Sequence, residues 1–336
     1  MNKSQNKANN IPKLTMMNKP TFVQENVPLN DKNWFRTGGP ARLFAQIKTE
    51  KEFQEALAYA KEQQVDLFVL GGGANVLISQ DGFDGLVLQP KFTEISHKEC
   101  DKQHVLVQAG AGVQMPQLIS YCLANNIIGL EEFSGIPGTV GGAAYNNMHY
   151  FQFSLSDFLF GGRVVDRETG QIYDVDKQWL NLGYDHSKLH EKKQYLLSAT
   201  FKLKKATDLE IAHARGRNKE MVRHRCARYP TALTCGCFFR NFHPDEVKMT
   251  IPGTNKKMIY VAYYLDKIGI KGALTVGDAV VSHQHANMLV NRGNATSDDL
   301  IQLARKMQEM VHATFGVLPQ TECELVGFKK YPLLTR

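Results

Sequence analysis

The sequence predicts an α+β protein that is built from more than one folding unit. Its 336 residues exceed what one compact core usually holds, so two or three units are expected. Near the start, a strand–helix–strand order surrounds a glycine-rich turn, which is typical of α/β architecture. A basic helical segment later interrupts the strands and marks the boundary between an N-terminal and a C-terminal part.

The first lobe, about residues 25–90, is predicted from one helix between strands. Ala41–Ile47 has the apolar content of a strand, and Thr49–Gln63 has helical periodicity with Thr49 as its N-cap. The short strand Val65–Leu70 leads into three glycines, and a second strand-like segment covers Gly85–Leu88. Before this lobe, we expect residues 1–24 to form a disordered leader, since its first twenty residues hold four lysines and no acid.

The second lobe, about residues 91–209, and the C-terminal part, residues 210–330, follow in the same way. Met115–Asn125 has the apolar stripe of a helix, and a basic helix runs from about Glu210 to Arg228. The last helix begins at the N-cap cluster from Thr296 and runs to His312, with Gly316 as its stop. The other predicted elements are the strands Val105–Ala109, Gly162–Asp166, Gln171–Asp174, Leu196–Leu203 and Met288–Asn291 and the helix Ile259–Ile268.

Charge and composition exclude several classes of function. The net charge is +7, but four of the lysines lie in the first twenty residues, so the remainder is too weakly basic for a nucleic-acid binder. The sequence has no apolar run of about 18 residues to span a membrane and no apolar segment of a secretory signal. Its six cysteines have neither disulfide nor metal-ligand spacing, which predicts a cytoplasmic protein with reduced thiols and no metal.

Two glycine-rich loops are the strongest functional signal. Gly71–Asn75 follows a strand, and Gly135–Gly142 holds four glycines and a proline in eight residues. Glycines let backbone N–H groups approach phosphate oxygens, so two such loops predict one long diphosphate ligand between them. The first loop alone could be a plain tight turn. The loop lacks the pattern GxGxxG and is not followed by an obvious helix. Both observations disfavour a nicotinamide dinucleotide site of the Rossmann type.

Three segments carry a resemblance to a known family. FRTGGPA (35–41), GGGANVLIS (71–79) and GIPGTVGGA (135–143) resemble, in order and spacing, the FAD-binding half of UDP-N-acetylenolpyruvoylglucosamine reductases. The resemblance resumes in the C-terminal part and covers about residues 25–328. It implies an FAD-binding domain of the vanillyl-alcohol-oxidase type, made of two α/β subdomains, and a C-terminal α/β substrate-binding domain.

The resemblance also implies a reaction and its partners. In this family NADPH reduces FAD, and the flavin passes hydride to the enolpyruvyl group of a UDP-sugar, giving the peptidoglycan precursor UDP-N-acetylmuramate. We expect a monomer that binds neither nucleic acid nor membrane. Ala74 replaces a serine that is usual in the family, which removes one phosphate-binding hydroxyl. The residues expected at the cofactor are Gly71, Gly72, Gly73, Ala74, Asn75, Val76, Leu77, Gly135, Ile136, Pro137, Gly138, Thr139, Gly141, Gly142 and Ala143.

Two family motifs supply the acid groups that the reaction needs. Cys237 stands at the position of the family's serine proton donor, and a thiol is a stronger acid than a hydroxyl. The alternative is that Cys237 is only a small buried strand residue. Glu322 matches the family's C-terminal glutamate, while Glu324 shares its strand face by alternation and is the competing assignment.

A third motif departs from the family. Asp185 replaces the arginine of a Tyr-Arg-x-Ser motif, and a carboxylate there would oppose a developing enolate. Either His186 compensates as a cation, or the loop no longer acts in catalysis. His149 stands at a position that is usually glycine and would crowd the expected flavin region. These changes keep two alternatives open: a related FAD enzyme with another substrate, and a non-catalytic homologue.

The substrate side follows the family more closely. A lysine between glycines and a histidine–alanine–asparagine strand match segments that meet the anionic substrate in the family. His285 is as readily a structural histidine as a ligand contact. The residues expected at the substrate are Tyr184, Arg240, Asn241, Lys271, His285 and Asn287.

Overall fold

The computed structural model describes residues 18–231 and 233–335 of the chain. Most of the predicted leader, residues 1–17, therefore lies outside the described residues. The end of the leader differs from the prediction: strand β1 (Val23–Pro28) begins two residues before the expected start of the first lobe at residue 25. Val23 is buried in the core of this lobe together with Leu43 and Ala45. That burial explains why order starts earlier than the charge pattern indicates.

The first lobe is a four-stranded sheet with one helix. Its further elements are β2 (Pro40–Ile47), α1 (Glu50–Glu62), β3 (Asp66–Val69), β4 (Val76–Ile78) and β5 (Phe83–Pro90). The sheet order is β1–β2–β5–β3; β1 is antiparallel to β2, and the other pairs are parallel. Thr49 and Glu52 form a reciprocal capping box at the start of α1. The buried face of α1 shares its core with Val165, Tyr195 and Leu197, which belong to the second lobe.

The second lobe is an antiparallel sheet with helices packed on it. Its elements are β6 (Ile95–Glu99), β7 (His104–Gly110), α2 (Met115–Ala124), β8 (Ile127–Ile128), α3 (Val140–Tyr145), β9 (His149–Tyr150), β10 (Phe153–Ser154), β11 (Leu159–Asp166), β12 (Ile172–Asp176), β13 (Gln194–Lys205) and α4 (Asp208–Arg228). The sheet order is β12–β11–β13–β7–β6, and β8 also pairs with β13. The second glycine segment is not a loop throughout, because α3 begins at Val140. Thr139 starts that helix by accepting a hydrogen bond from the backbone N–H of Gly142.

Helix α4 packs on the second lobe rather than standing apart from it. Its buried residues Ile211, Ala214 and Met221 belong to the core of that lobe. The predicted boundary after residue 209 assigns this helix to the C-terminal part, and that boundary stays a prediction. In the structure the helix connects the second lobe to the C-terminal part and packs on the second lobe.

The C-terminal part surrounds a second large core. Its elements are α5 (Val261–Lys267), β14 (Thr275–Val276), β15 (Ala279–Val281), β16 (Leu289–Asn291), α6 (Ser297–Phe315) and β17 (Glu324–Val326). Strands β14, β15 and β16 form an antiparallel sheet. As predicted, α6 is capped at Thr296 and ends at Gly316, whose φ of +68° is left-handed. No helix in the described part of the chain is long and apolar enough to cross a membrane.

Strand β17 leaves the C-terminal part and pairs in parallel with β4 of the first lobe. The side chains of β4 alternate between two cores, since successive residues of a strand point to opposite faces. Leu77 is buried in the C-terminal core, whereas Val76 and Ile78 are buried in the first lobe. Val326 of β17 joins Ile78 in the first-lobe core. This pairing holds residues 324–326 next to β4, the strand that follows the first glycine loop.

Candidate active site

The two glycine loops lie in direct contact. A Cβ atom on Gly71 would lie 2.7 Å from Thr139 Oγ1, and one on Gly72 would lie 3.2 Å from Gly138 Cα. Larger residues would therefore push the loops apart. Gly138 also has a φ of +120°, which other residues rarely adopt. Glycine thus brings the two backbones together, which is the arrangement that one ligand held by both loops needs.

The first loop presents a row of unpaired backbone donors. Within the described residues, the amide groups of Gly71, Gly72, Gly73 and Ala74 donate no hydrogen bond to the protein. The loop is fixed instead through a carbonyl, because Trp34 donates its backbone N–H to Gly73 O at 2.9 Å. Successive free N–H groups in a turn form a concave site for anions. The loop is therefore suited to the phosphate oxygens of a nucleotide.

A cavity of about 450 Å³ opens where the loops meet. Its lining includes Gly71 and Gly72 from the first loop, Thr139 from the second, and Gly112 and Gln114 from the segment after β7. This volume lies within the range of small-molecule pockets. A larger depression, about 970 Å³, lies on the outer sheet of the second lobe and contains none of the predicted site residues.

Other residues predicted at the cofactor lie outside this cavity lining. The side chains of Val76, Leu77 and Ala143 are buried in the hydrophobic cores, so these residues can offer only backbone groups. Gly73 has a φ of +66° and packs against the backbone of Lys32. The role of each of these positions stays a prediction. What the structure provides is the contact of the two loops and the free amides of the first.

Strand β17 places Glu322 beside the first glycine loop. Asn75 donates its side-chain amide to Glu322 O at 3.1 Å, and Glu324 donates its backbone N–H to Asn75 O at 3.0 Å. On its other side, the backbone N–H of Glu322 donates to Phe238 O at 2.9 Å. Glu322 therefore lies between the glycine loop and the segment that contains Cys237.

The two candidate glutamates have different surroundings. Glu324 forms an ion pair with Lys192 at 2.6 Å. The carboxylate of Glu322 has no ion pair in residues 18–231 and 233–335, and burial, followed by the charge of Asp185, raises its pKa well above the ordinary value. A perturbed carboxyl beside other titratable groups is typical of a functional position. The surroundings favour Glu322 over Glu324 as the site residue.

Cys237 lies in a strand-like segment between two others. Its backbone bridges to Met288 on one side, and the next residue, Phe238, accepts the hydrogen bond from Glu322 on the other. Burial, followed by the charge of Glu322, raises the pKa of the Cys237 thiol. The thiol therefore keeps its proton, as a donor must, although it is a weaker acid than an exposed thiol. Two residues before it, burial and the neighbouring thiol of Cys323 raise the pKa of the Cys235 thiol.

The loop with Asp185 is tied to the C-terminal part. The backbones of Gly183 and His186 pair across the turn, and Asp185 at its tip has a left-handed φ of +49°. Tyr184 Oη accepts a hydrogen bond from the backbone N–H of Asn241 at 3.3 Å. These contacts bring the third motif to the same region as the first two, within electrostatic range of Glu322.

Asp185 differs from the charged group that the sequence suggests. Burial raises the pKa of Asp185 to about 7, while the positive charge of Arg240 opposes this shift. A large fraction of Asp185 is therefore protonated at neutral pH. A neutral carboxyl donates a hydrogen bond and does not repel an anion, so the expected conflict with a developing enolate is weaker than predicted.

His149 is accommodated by a hairpin. It lies in β9, which pairs with β10, and its ring packs on Tyr184 with centroids 4.7 Å apart. Burial lowers the pKa of His149, so the ring is neutral. The ring thus lies against the Tyr184 ring, and crowding of the flavin region by His149 stays a prediction.

Two residues predicted at the substrate are held by the protein itself. Arg240 forms a two-pronged ion pair with Glu246, with nitrogen–oxygen distances of 2.7 and 2.9 Å. Asn287 is 2% exposed; it donates to Phe239 O at 2.7 Å and accepts from Phe239 N at 3.1 Å. Both therefore support the segment that contains Cys237. A direct contact of either with substrate stays a prediction.

Lys271 and His285 lie on the same side of the C-terminal part. Lys271 forms an ion pair with Asp266 at 3.0 Å and remains partly exposed. The ring of His285 packs on Tyr229, and burial together with the charge of Arg228 lowers the pKa of His285 to about 4. His285 is therefore neutral, and this geometry favours its structural role.

Sequence reasoning missed the charged side of the cavity. Lys32, Arg36 and Lys91 line it together with the glycine loops. Only Arg36 lies in a segment that the sequence singles out, and neither lysine belongs to a ligand-binding motif, so only the fold brings them together. In the described residues, no group of three or more histidine, cysteine or acidic side chains is placed to hold a metal.

Two family models match the chain. Residues 41–176 match the FAD binding domain, and residues 229–326 match the C-terminal domain of UDP-N-acetylenolpyruvoylglucosamine reductase. With the two glycine loops in contact over one cavity, these matches define a flavoprotein that has an FAD-binding domain and a separate C-terminal domain.

Whole-length relatives narrow this class. The UDP-N-acetylenolpyruvoylglucosamine reductase of Parasynechococcus marenigrum is 31% identical over 93% of this chain and 99% of its own length. That of Caldicellulosiruptor saccharolyticus is 31% identical over 91% of this chain and 92% of its own. The crystal structure of the enzyme from Thermus caldophilus matches with a TM-score of 0.72 at 28% identity, covering 91% of this chain and 100% of that one. The chain belongs to the UDP-N-acetylenolpyruvoylglucosamine reductase family, which confirms the family and fold class expected from its motifs.

Proposed function

We propose that this protein reduces UDP-N-acetylglucosamine enolpyruvate to UDP-N-acetylmuramate, with FAD as its cofactor and NADPH as the electron donor. The observation that carries the proposal is the convergence of three separate segments. The two glycine loops touch, and β17 brings Glu322 to the end of the first loop. A cofactor site and a set of acidic groups therefore adjoin each other, as this reaction needs.

The residues fit FAD on two observations. The amides of Gly71–Ala74 are free to bind the diphosphate, and Thr139 and Gly138 lie against the same loop. The chemistry that FAD would supply there, once reduced by NADPH, is transfer of a hydride to the substrate carbon. The protein holds the cofactor by backbone groups, so the loss of a serine hydroxyl at Ala74 removes only one of several donors.

The acidic groups then handle the proton and the substrate carboxylate. We assign Cys237 as the proton donor, because its thiol keeps its proton and the backbone of the next residue, Phe238, is hydrogen-bonded to Glu322. We assign Glu322 and Asp185 to the substrate carboxylate, where their protonated forms donate hydrogen bonds that strengthen as negative charge develops. The protonated carboxyl of Asp185 in this way takes the place of the family's arginine.

We also propose where and how the enzyme works. The relatives are named for a UDP-sugar substrate, and we extend that substrate to this chain. The cysteine pattern supports a cytoplasmic enzyme, and the single-chain site supports a monomer.

The test is spectroscopic. The purified protein should show the absorption of bound oxidised flavin, lose it on addition of NADPH, and recover it on addition of the enolpyruvyl sugar. A protein that stays colourless after added FAD would show that it is a non-catalytic homologue. Asp185→Arg is the informative variant: if turnover of this sugar appears only after that change, the native substrate is another compound.

A further inference from the structure

Three cationic side chains of the cavity lining form what we call its cationic wall; the lining also holds one acidic residue, Asp31. Lys32, Arg36 and Lys91 line the same cavity as Gly71 and Gly72. Like charges in one cleft repel each other. Three cations beside free backbone amides are therefore unusual where a turn has only a structural role. An anion between the wall and the loop would relieve that repulsion.

The segment with Lys32 and Arg36 is attached to the first glycine loop, because Trp34 donates its backbone N–H to Gly73 O at 2.9 Å. Asn33 donates its side-chain amide to Leu29 O at 2.8 Å and to Thr37 O at 2.7 Å, which closes the segment into a tight loop. Within it, Arg36 has a φ of +58°, a left-handed conformation that costs a non-glycine residue free energy. Backbone strain of this kind is found at binding sites, where the surrounding contacts hold it.

Lys91 is the more buried of the two cations in this cavity that form no ion pair in the described residues, the other being the exposed Arg36. Lys91 is half-buried at the end of β5. Burial, followed by the charge of Lys32, lowers the pKa of Lys91. By contrast, Lys32 is already paired with Asp31 at 3.0 Å and lies 5.3 Å from the ring centre of Phe44. A half-buried lysine without an ion pair has lost part of its hydration, so an anionic ligand beside it would be favourable.

We propose that Lys91, with Lys32 and Arg36, binds the diphosphate of the FAD cofactor together with the first glycine loop. This inference rests on the proposed function, since it names the residues that complete its cofactor site. The charge of the wall would compensate for the hydroxyl that Ala74 lacks. A diphosphate in this cavity would accept hydrogen bonds from the free amides of Gly71 and Gly72 and from the ammonium group of Lys91.

The substrate also carries a diphosphate, but the cavity favours that of the cofactor. Thr139 of the second glycine loop lines it together with Gly71, whereas Cys237, Glu322 and Asp185 do not line it. The cationic wall is thus on the cofactor side and away from the acidic groups that face the substrate. The two diphosphates can be told apart by ligand binding. ADP contains the adenosine diphosphate part of FAD, whereas UDP contains the diphosphate part of the substrate.

The experiment measures binding by the apoprotein and not turnover. FAD, ADP, adenosine and UDP are titrated by calorimetry into wild type, Lys91→Met and Lys91→Arg at low and high salt. Lys51→Met is the matched control, because Lys51 is an exposed lysine of α1 in the same lobe, with a side chain that is 85% exposed. Circular dichroism confirms that each variant is folded.

We expect Lys91→Met to weaken FAD and ADP by about tenfold or more, since a hydrogen bond to a charged group is lost. Lys91→Arg should keep most of the affinity, and Lys51→Met should keep all of it. Lys32→Met should weaken binding less than Lys91→Met, because Lys32 is already paired. Affinity for adenosine should not change with any variant, and the wild-type affinity for ADP should fall with salt.

The outcomes separate this inference from the proposed function. If Lys91→Met binds FAD and ADP like wild type, or if UDP competes with ADP equally well, the assignment of the wall is wrong while the enzyme can still be the reductase. If the wild-type apoprotein binds no FAD, both are wrong.

Discussion

At Cys237 a sulfur atom replaces the oxygen of the family's serine, and this atom determines how the side chain can donate a proton. Its thiol occupies the position of a serine hydroxyl in the family, and burial raises its pKa, so it enters the reaction with its proton in place. We expect Cys237→Ser to keep kcat within about tenfold of wild type. Cys237→Ala should lower kcat by about 10²–10⁴-fold, as removal of a general acid does.

Steady-state and single-turnover kinetics measure this effect. Cys226→Ala, which changes an exposed thiol outside the site, serves as the control. An alanine variant with undiminished kcat would mean that Cys237 is only a small packing residue.

Asp185 makes the stability depend on pH. Its pKa is 3.8 in the unfolded chain and about 7 in the folded protein, because burial disfavours the charged form. The folded state therefore keeps a proton that the unfolded state has lost. Stability due to this carboxyl is present at low pH and falls as pH rises from about 4 to about 7. Asp185→Asn, which cannot ionise, should lack this fall.

Urea unfolding of wild type and Asp185→Asn across that pH range gives the difference in free energy of unfolding. Asp84→Asn is the matched control, because the Asp84 side chain is 86% exposed. A difference that does not change with pH would place Asp185 in contact with solvent.

At the scale of elements, the first glycine loop depends on Gly73. Its φ is +66°, and a Cβ there would overlap Lys32 O and lie 2.7 Å from Asn33 Cα. Gly73→Ala should therefore destabilise the protein by more than the roughly 1–3 kcal/mol of left-handed strain alone and weaken FAD binding. Gly253→Ala is a matched control, since Gly253 has a φ of +75° and open space around a Cβ.

Thermal unfolding and FAD titration measure both effects. The control should show the strain without the loss of cofactor. Equal losses in the two variants would mean that the contact with the segment at Lys32 does not hold the loop.

Local signals predicted the elements that local contacts form. The caps at Thr49 and Thr296 predicted where α1 and α6 begin, because a capping side chain bonds within the next turn. The pairing of β17 with β4 was not predictable in this way. It joins residues about 250 positions apart, and neither three-residue strand has a periodic pattern long enough to read.

At the scale of the whole molecule, the cofactor site joins parts that are distant in the sequence. Because β4 packs in two cores and β17 pairs with it, FAD bound at Gly71–Asn75 should stabilise both strands. We expect hydrogen exchange of β4 and β17 amides to slow together on FAD binding.

Hydrogen exchange with mass spectrometry on apoprotein and holoprotein tests this coupling. Peptides from the outer strand β12 serve as the reference. Slowing confined to β4 would show that the two parts respond independently.

The site was only partly predictable, because some of its residues lie in local motifs and others are brought together from distant segments by the fold. The glycine loops could be located because their composition is local, and the acidic groups because short motifs surround Cys237 and Glu322. The raised pKa of Asp185 and the cationic wall with Lys91 depend on burial and on neighbours from other segments, which no motif contains.

The late position of β17 in the chain has a consequence for biosynthesis. The N-terminal lobes leave the ribosome long before residues 324–326, so β4 lacks its strand partner while most of the protein is translated. We therefore expect cofactor loading to follow the pairing of β17 with β4, and a nascent chain stalled before β17 to expose β4 to chaperones or to a neighbouring chain.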